Sequence, residues 1–228
     1  MPDWLPEVLA AVFATIIAIT FHEAAHGYAA EALGDPTARE RGRVTLNPIK
    51  HVDPIGTVVL PGILLIGQLL TIGRVEAMIG WAKPVPVDFM RLRNPRWGML
   101  WVAAAGPAMN VLLAYVAALS AHLAGFADPP TATIIYRAVA LFMIVNLVLA
   151  AFNMLPIPPL DGGRIVTALL PWRLALPFAR TERYGLLIVI GLIVVAPRVF
   201  PGFDPMDWLL ANMVSPIFNL VLRAAGQG

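Results

Sequence analysis

The chain has 228 residues, of which 59% are hydrophobic and 13% charged, with a mean hydropathy of +0.76. Soluble domains carry about 25% charged residues, so this composition excludes an ordinary soluble domain and points to a single membrane domain. The net charge of +2 is scattered over loops with no basic cluster among aromatics, which gives nucleic-acid binding no support, and the absence of cysteine excludes disulfides and thiolate metal sites.

In chain order, the apolar segments are Leu5 to Leu33, Ile55 to Gly73, Trp97 to Gly125, Ile134 to Leu155, Tyr184 to Ala196 extending toward Phe200, and Trp208 to Leu222. The first has Asp3 and Glu7 where a signal peptide carries Lys or Arg, and no small-residue cleavage site follows, so it is expected to be a retained helix. Connections between segments are rich in proline and glycine, as in "NPIKHVDPIG", "WAKPVPVD" and "LPIPPLDGG". Irregular backbone at membrane depth is tolerated only where protein or a wet cavity satisfies it, so these clusters announce an internal polar site. Trp4, Trp97 and Trp208 stand at segment ends as interfacial anchors.

The Lys and Arg residues set the topology through the positive-inside rule. If all six segments crossed, two basic loops would face opposite sides. If Ile55 to Gly73, broken by Pro61 and Gly62, re-enters instead, then Arg39, Arg41, Arg43, Lys50, Arg74, Lys83, Arg91, Arg93, Arg96, Arg164, Arg173, Arg180, Arg183 and Arg223 share one side. That is fourteen of the sixteen cations, with Arg137 and Arg198 elsewhere. The expected topology is therefore N-terminus outside, about five transmembrane helices, one re-entrant segment, and "FHEAAHG" and "PPLDGGRI" on the cytoplasmic side.

Within the first segment, "HEAAH" puts His22 and His26 four residues apart, on one face of a helix, the spacing by which two imidazoles grip one zinc ion, with Glu23 beside it. Intramembrane ionisable groups are costly and usually functional. A catalytic zinc keeps three protein ligands and an open position. Without cysteine the third is His, Asp or Glu. Glu31 is rotated off the ligand face and His122 belongs near the opposite surface, which leaves His51 and Asp161. Asp161 follows an apolar span, where prolines stop the helix and glycines allow close backbone approach. His51, between two prolines, is expected to be a turn histidine.

These stretches resemble the site-2 protease family of intramembrane zinc metalloproteases. "HEAAHG" is similar to its HExxH, "NMLPIPPLDGG" to its second signature and "AGPAMN" to its GPxxN, while "GRVTLNPIKHVDPIG" and "GWAKPVPVD" look like stretches of its compact members. The resemblance runs from about residue 5 to 168 and, with no room for a PDZ or CBS module, implies one metalloprotease domain over 1–228, its C-terminal helices at 184–223. It implies an all-α polytopic membrane protein with a short membrane-associated β-hairpin near the active site. It further implies one Zn2+ held by His22, His26 and Asp161, with Glu23 as general base, acting on transmembrane helices of other proteins within the lipid bilayer. "GRVTL" has the alternation of a short strand to which unwound substrate could add. Asn153 is then a candidate to hold substrate backbone; Asn110 is a second candidate, by hydrogen bonding across helices or to the active-site loop, unless helix packing through Gly106 explains its motif. The alternative is a metal or proton transporter, since intramembrane His, Glu and Asp also mark ion pathways.

Overall fold

A computed structural model describes residues 5–71, 73, 80–200 and 202–227, so Trp4 and Arg74 lie outside the described residues. Helices dominate: α1 (Leu5–Ala32), α2 (Thr37–Glu40), α3 (Leu60–Thr71), α4 (Pro95–Ser120), α5 (Pro129–Asn153), α6 (Asp161–Leu169) and α7 (Trp172–Ala179). A π-helical turn at Pro54–Val59 leads into α3, and residues 185–199 and 205–224 form two further helical stretches. Pro6–Ala32, Pro95–Phe126 and Pro129–Asn153 are the three described helices long and apolar enough to cross a membrane. The expected spans at 184–196 and 208–222 are helical but fall outside that set.

The helix starts follow from local chemistry. Asn94 and Asp128 cap α4 and α5 by accepting from the backbone N–H of Trp97 and Thr131, and a proline occupies the first helical position of each. Asp128 with Pro129 therefore starts α5 five residues before the apolar run at Ile134. Where helices meet, small side chains prevail: Ala14, Ala18, Ala24, Ala25 and Ala30 of α1, Ala103, Ala114 and Ala118 of α4, and Ala150 and Ala151 of α5 are all buried. Large apolar groups point outward instead, among them Phe13, Ile16, Leu112 and Val116. That inversion is what lipid favours, because backbones must approach closely to gain contact while the outer face needs no water-compatible groups. α4 is the central element, packing on α1, α5 and α6. The main cluster joins Ala114 and Ala118 of α4 to Met143 and Leu147 of α5 and to Leu209, Val214 and Val221.

The basic loops converge at the C-terminal end of α1. Asp35, fully buried, accepts from the N–H and hydroxyl of Thr37 at 3.0 and 2.5 Å and from the N–H of Asp88 at 2.7 Å. Burial works to raise its pKa, yet these donors hold the carboxyl below its ordinary value. Arg91 reaches Glu40 at 3.1 Å, and the N–H of Arg93 bonds Leu33 O. The apolar excursion that begins at Pro54 also returns to its start: Lys83 N–H bonds His51 O, Trp81 N–H bonds Gly56 O, and the Thr57 hydroxyl bonds Trp81 O. Arg96 brings in the third basic loop by donating to the carbonyls of Ala168, Leu169 and Leu170 at the end of α6.

The expected β-hairpin is not present among the described residues, and "GRVTL" at 42–46 leaves a turn at Gly42 and bends over residues 44–46. Alternation alone does not make a strand; it needs a ladder partner. The neighbouring segment is residues 80–88, where Pro84 and Pro86 lack the donors a ladder requires. The link is made instead by the Arg43 side chain, whose Nη2 donates to Lys83 O at 2.6 Å.

Candidate metal centre

α1 carries His22 and His26 on one face, and their rings meet edge to face with centroids 4.7 Å apart. Asp161 enters from the first turn of α6, where the helix dipole favours a carboxylate. Its Oδ2 lies 3.1 Å from His22 Nε2 and 3.4 Å from His26 Nε2, and all three residues are buried. α6 can start there because the double glycine has no side chain: a Cβ on Gly162 would collide with the carbonyls of Met154 and Leu155, and one on Gly163 with the Pro158 backbone. Gly106 does the same on α4, where a Cβ would sit 2.5 Å from His26 Nε2 and 2.7 Å from His22 Cε1.

The outer nitrogens of both rings are tied down. His26 Nδ1 is 2.7 Å from Val102 O, a pure acceptor, so Nδ1 carries the proton. Val102 precedes Ala103, whose carbonyl loses its usual helical partner to Pro107. His22 Nδ1 is 2.6 Å from Asn110 Oδ1. Asn110 Nδ2 donates to Ala18 O at 3.1 Å and to Asn146 Oδ1 at 3.0 Å, which fixes the amide's orientation, so His22 Nδ1 is also the donor. Both Nε2 atoms therefore present lone pairs to a carboxylate oxygen. No hydrogen bond of acceptable geometry reaches Asp161 Oδ2 despite its burial. Three acceptors converging without a proton between them repel one another unless a cation joins them. The ligand atoms all lie within 4.8 Å of one another, and a zinc ion with bonds of about 2.0–2.1 Å spaces tetrahedral ligands by about 3.3 Å, so the donor set fits that ion.

Other predicted residues fall as follows. Glu23 is on the adjoining face of α1, outside the triad, and its Oε2 accepts from Val85 N–H at 2.8 Å. Asn110 is fully buried between helices, and its three hydrogen bonds all go to the protein, one of them to His22. Asn153 ends α5, partly buried, with Nδ2 on its own helix at Leu149 O. His51 is buried in a short 3-10 turn with Nε2 on Thr45 O, away from the triad. His122 bonds Ala225 O, and Glu31 pairs with Arg39 at the loop end of α1. Sequence reasoning missed Asn146, the fully buried anchor of Asn110; a lone Asn inside "FMIVNLVLA" was the available signal. Because partners that orient ligating histidines are worth about 10–100-fold in metal affinity, Asn110→Leu should weaken zinc binding by that factor in a chelator competition assay. Unchanged affinity would remove Asn110 from the site.

The sequence pattern described as Peptidase family M50 matches residues 123–196. The Bacillus subtilis protein named "Putative zinc metalloprotease YwhC" is 37% identical over 217 residues, covering 90% of this chain and 93% of that protein. The Mycolicibacterium smegmatis protein named "Putative zinc metalloprotease Rip2" is 30% identical over 212 residues, covering 93% and 76%. No solved structure matches the chain.

Proposed function

The chain belongs to peptidase family M50, the site-2 protease family, and from that premise we propose that it is a zinc metalloendopeptidase cutting peptide bonds within or beside transmembrane helices of other membrane proteins. The observation that carries this reading is the convergence of His22 Nε2, His26 Nε2 and Asp161 Oδ2 with both Nδ1 protons already committed. His22, His26 and Asp161 hold the zinc ion. When bound, zinc lowers the pKa of a water toward about 7 and polarises the carbonyl it faces. Glu23, with Oε2 on Val85 N–H, keeps Oε1 for a proton: it takes one from the attacking water and delivers it to the leaving amine as the C–N bond breaks. Asn153, eight residues before Asp161, holds substrate backbone.

The finer topology belongs to the same reading: five crossings, a re-entrant excursion after Pro54, and an active site toward the cytoplasmic side of the cell membrane. The hydrogen bonds that join His51, Gly56 and Thr57 to Trp81 and Lys83 support it, because both ends of the excursion meet on one side. A cysteine placed at Lys83 should resist a membrane-impermeant thiol reagent in intact cells and react after lysis; labelling from outside would refute this sidedness. For function, purified protein should contain one zinc per chain and cleave single-span membrane proteins in liposomes. Chelation should stop cleavage and added zinc restore it. Cleavage that survives complete zinc removal would end the metalloprotease reading. A transporter draws no support from the comparisons, since the relatives are named as metalloproteases.

A further inference from the structure

We propose that Arg43 and the backbone N–H of Val85 are positioning groups for Glu23, an inference that rests on the protease reading above. The segment 80–88 crosses α1 as a strap without helix or strand. Three of its donors are pinned in alternation, Trp81 N–H to Gly56 O, Lys83 N–H to His51 O and Val85 N–H to Glu23 Oε2, and Asp88 N–H follows three residues later on Asp35 Oδ2. Pro84 and Pro86 have no N–H, so Val85 is the single donor in those three residues, and it is spent on the carboxylate.

The strap's height over the helix is set by glycine. Gly27 lies one turn beyond Glu23, and a Cβ there would come 3.1 Å from Val44 Cγ2 and 3.3 Å from Val85 Cγ1. The strap's rotation is set by Arg43. Arg43 is only 7% exposed and donates Nη2 to Lys83 O at 2.6 Å and Pro84 O at 3.4 Å, while among the described residues no carboxylate lies within ion-pair distance and its Nε has no partner. Burying an unpaired cation is costly, and what it gains here is the orientation of the two carbonyls immediately before the Val85 N–H. Glutamate has three side-chain torsions to restrain before its free oxygen can meet a proton in the right place, and a hydrogen bond to the ionised form restrains them. Arg43 fixes the strap, the strap fixes the Val85 donor, and the donor fixes Glu23.

The test compares Val85→Pro, which deletes the donor between two existing prolines, with Val85→Ala, which shortens the same side chain and keeps the donor. In full-length protein in liposomes, kcat of V85P should be at least about tenfold below that of V85A, a fraction of the 10²–10⁴ that general bases contribute. KM should differ by less than about twofold and zinc content should be equal. Arg43→Ala should lower kcat in the same way, and Arg43→Lys, which retains a donor for the carbonyls, should recover part of it. Equal kcat for V85P and V85A would overturn the proposal, as would zinc loss in proportion to activity, and a faster V85P would make the strap a cover over Glu23 rather than its support. Glu23→Gln separates the two levels of inference. If it is inactive while V85P matches V85A, only the positioning role fails; if it cleaves like wild type, the general-base assignment of Glu23 fails first, and the positioning role with it.

Discussion

Glu23→Gln is expected to retain one zinc per chain and to lose cleavage on the order of a thousandfold, within the range that proton transfer by a positioned side chain supplies. The substitution is close to isosteric, and the amide oxygen can still accept from Val85 N–H, so the strap and the helix beneath it have no reason to move. The metal should stay because Glu23 is not in the triad: its carboxylate turns to Val85 while His22, His26 and Asp161 converge on one another. The capacity to take a proton from water and return it to the leaving amine is what disappears. An ion carrier built on the same three ligands would keep transporting after this change, which makes the variant decisive between the two classes. The measurement is zinc content alongside the rate of product formation from a single-span substrate. Wild-type cleavage by Glu23→Gln would sink the general-base assignment and the mechanism built on it.

The residues of the candidate metal centre are legible in the sequence because their chemistry conflicts with their surroundings. Two histidines at helical spacing inside an apolar run are costly unless used, and a Pro-Gly loop at the end of another apolar run is costly unless something holds its backbone. The charge count puts the first two loops on one side, and the N–H of Asp88 on Asp35 Oδ2 and that of Arg93 on Leu33 O join the same stretches. The supporting groups were harder to see because their role depends on three-dimensional partners. Asn110 has no sequence feature that says its oxygen meets His22 rather than a substrate. Arg43 sits within an alternating stretch that suggests a strand, and only the prolines facing it show why a side chain, and not a ladder, makes the connection. Asn146 reads as a polar exception in a span until α4 is packed beside it.

Gly106→Ala should set helix propensity against the packing of the metal-site histidines. In the interior of α4 the change favours the helix by about 1 kcal/mol, since alanine is the best helix former and glycine among the worst. The added methyl, however, would stand 2.5 Å from His26 Nε2, 2.6 Å from its Cε1 and 2.7 Å from His22 Cε1. The rings have little freedom to retreat. His26 is tethered to Val102 O and His22 to Asn110 Oδ1, both on α4, the helix that carries the methyl, so moving either ring away breaks the bond that fixes its proton. Moving α1 away instead opens the alanine contacts that let the helices approach. Zinc affinity should therefore fall by on the order of 100-fold or more, at or beyond the upper end of what losing one orienting partner costs. The metal-free variant should melt at or below metal-free wild type, because overpacking costs about 1–3 kcal/mol against the helix gain of about 1 kcal/mol. Normal zinc binding by Gly106→Ala would mean that α1 and α4 do not press the two rings against this turn, and the lone-pair argument for the site would lose its geometry.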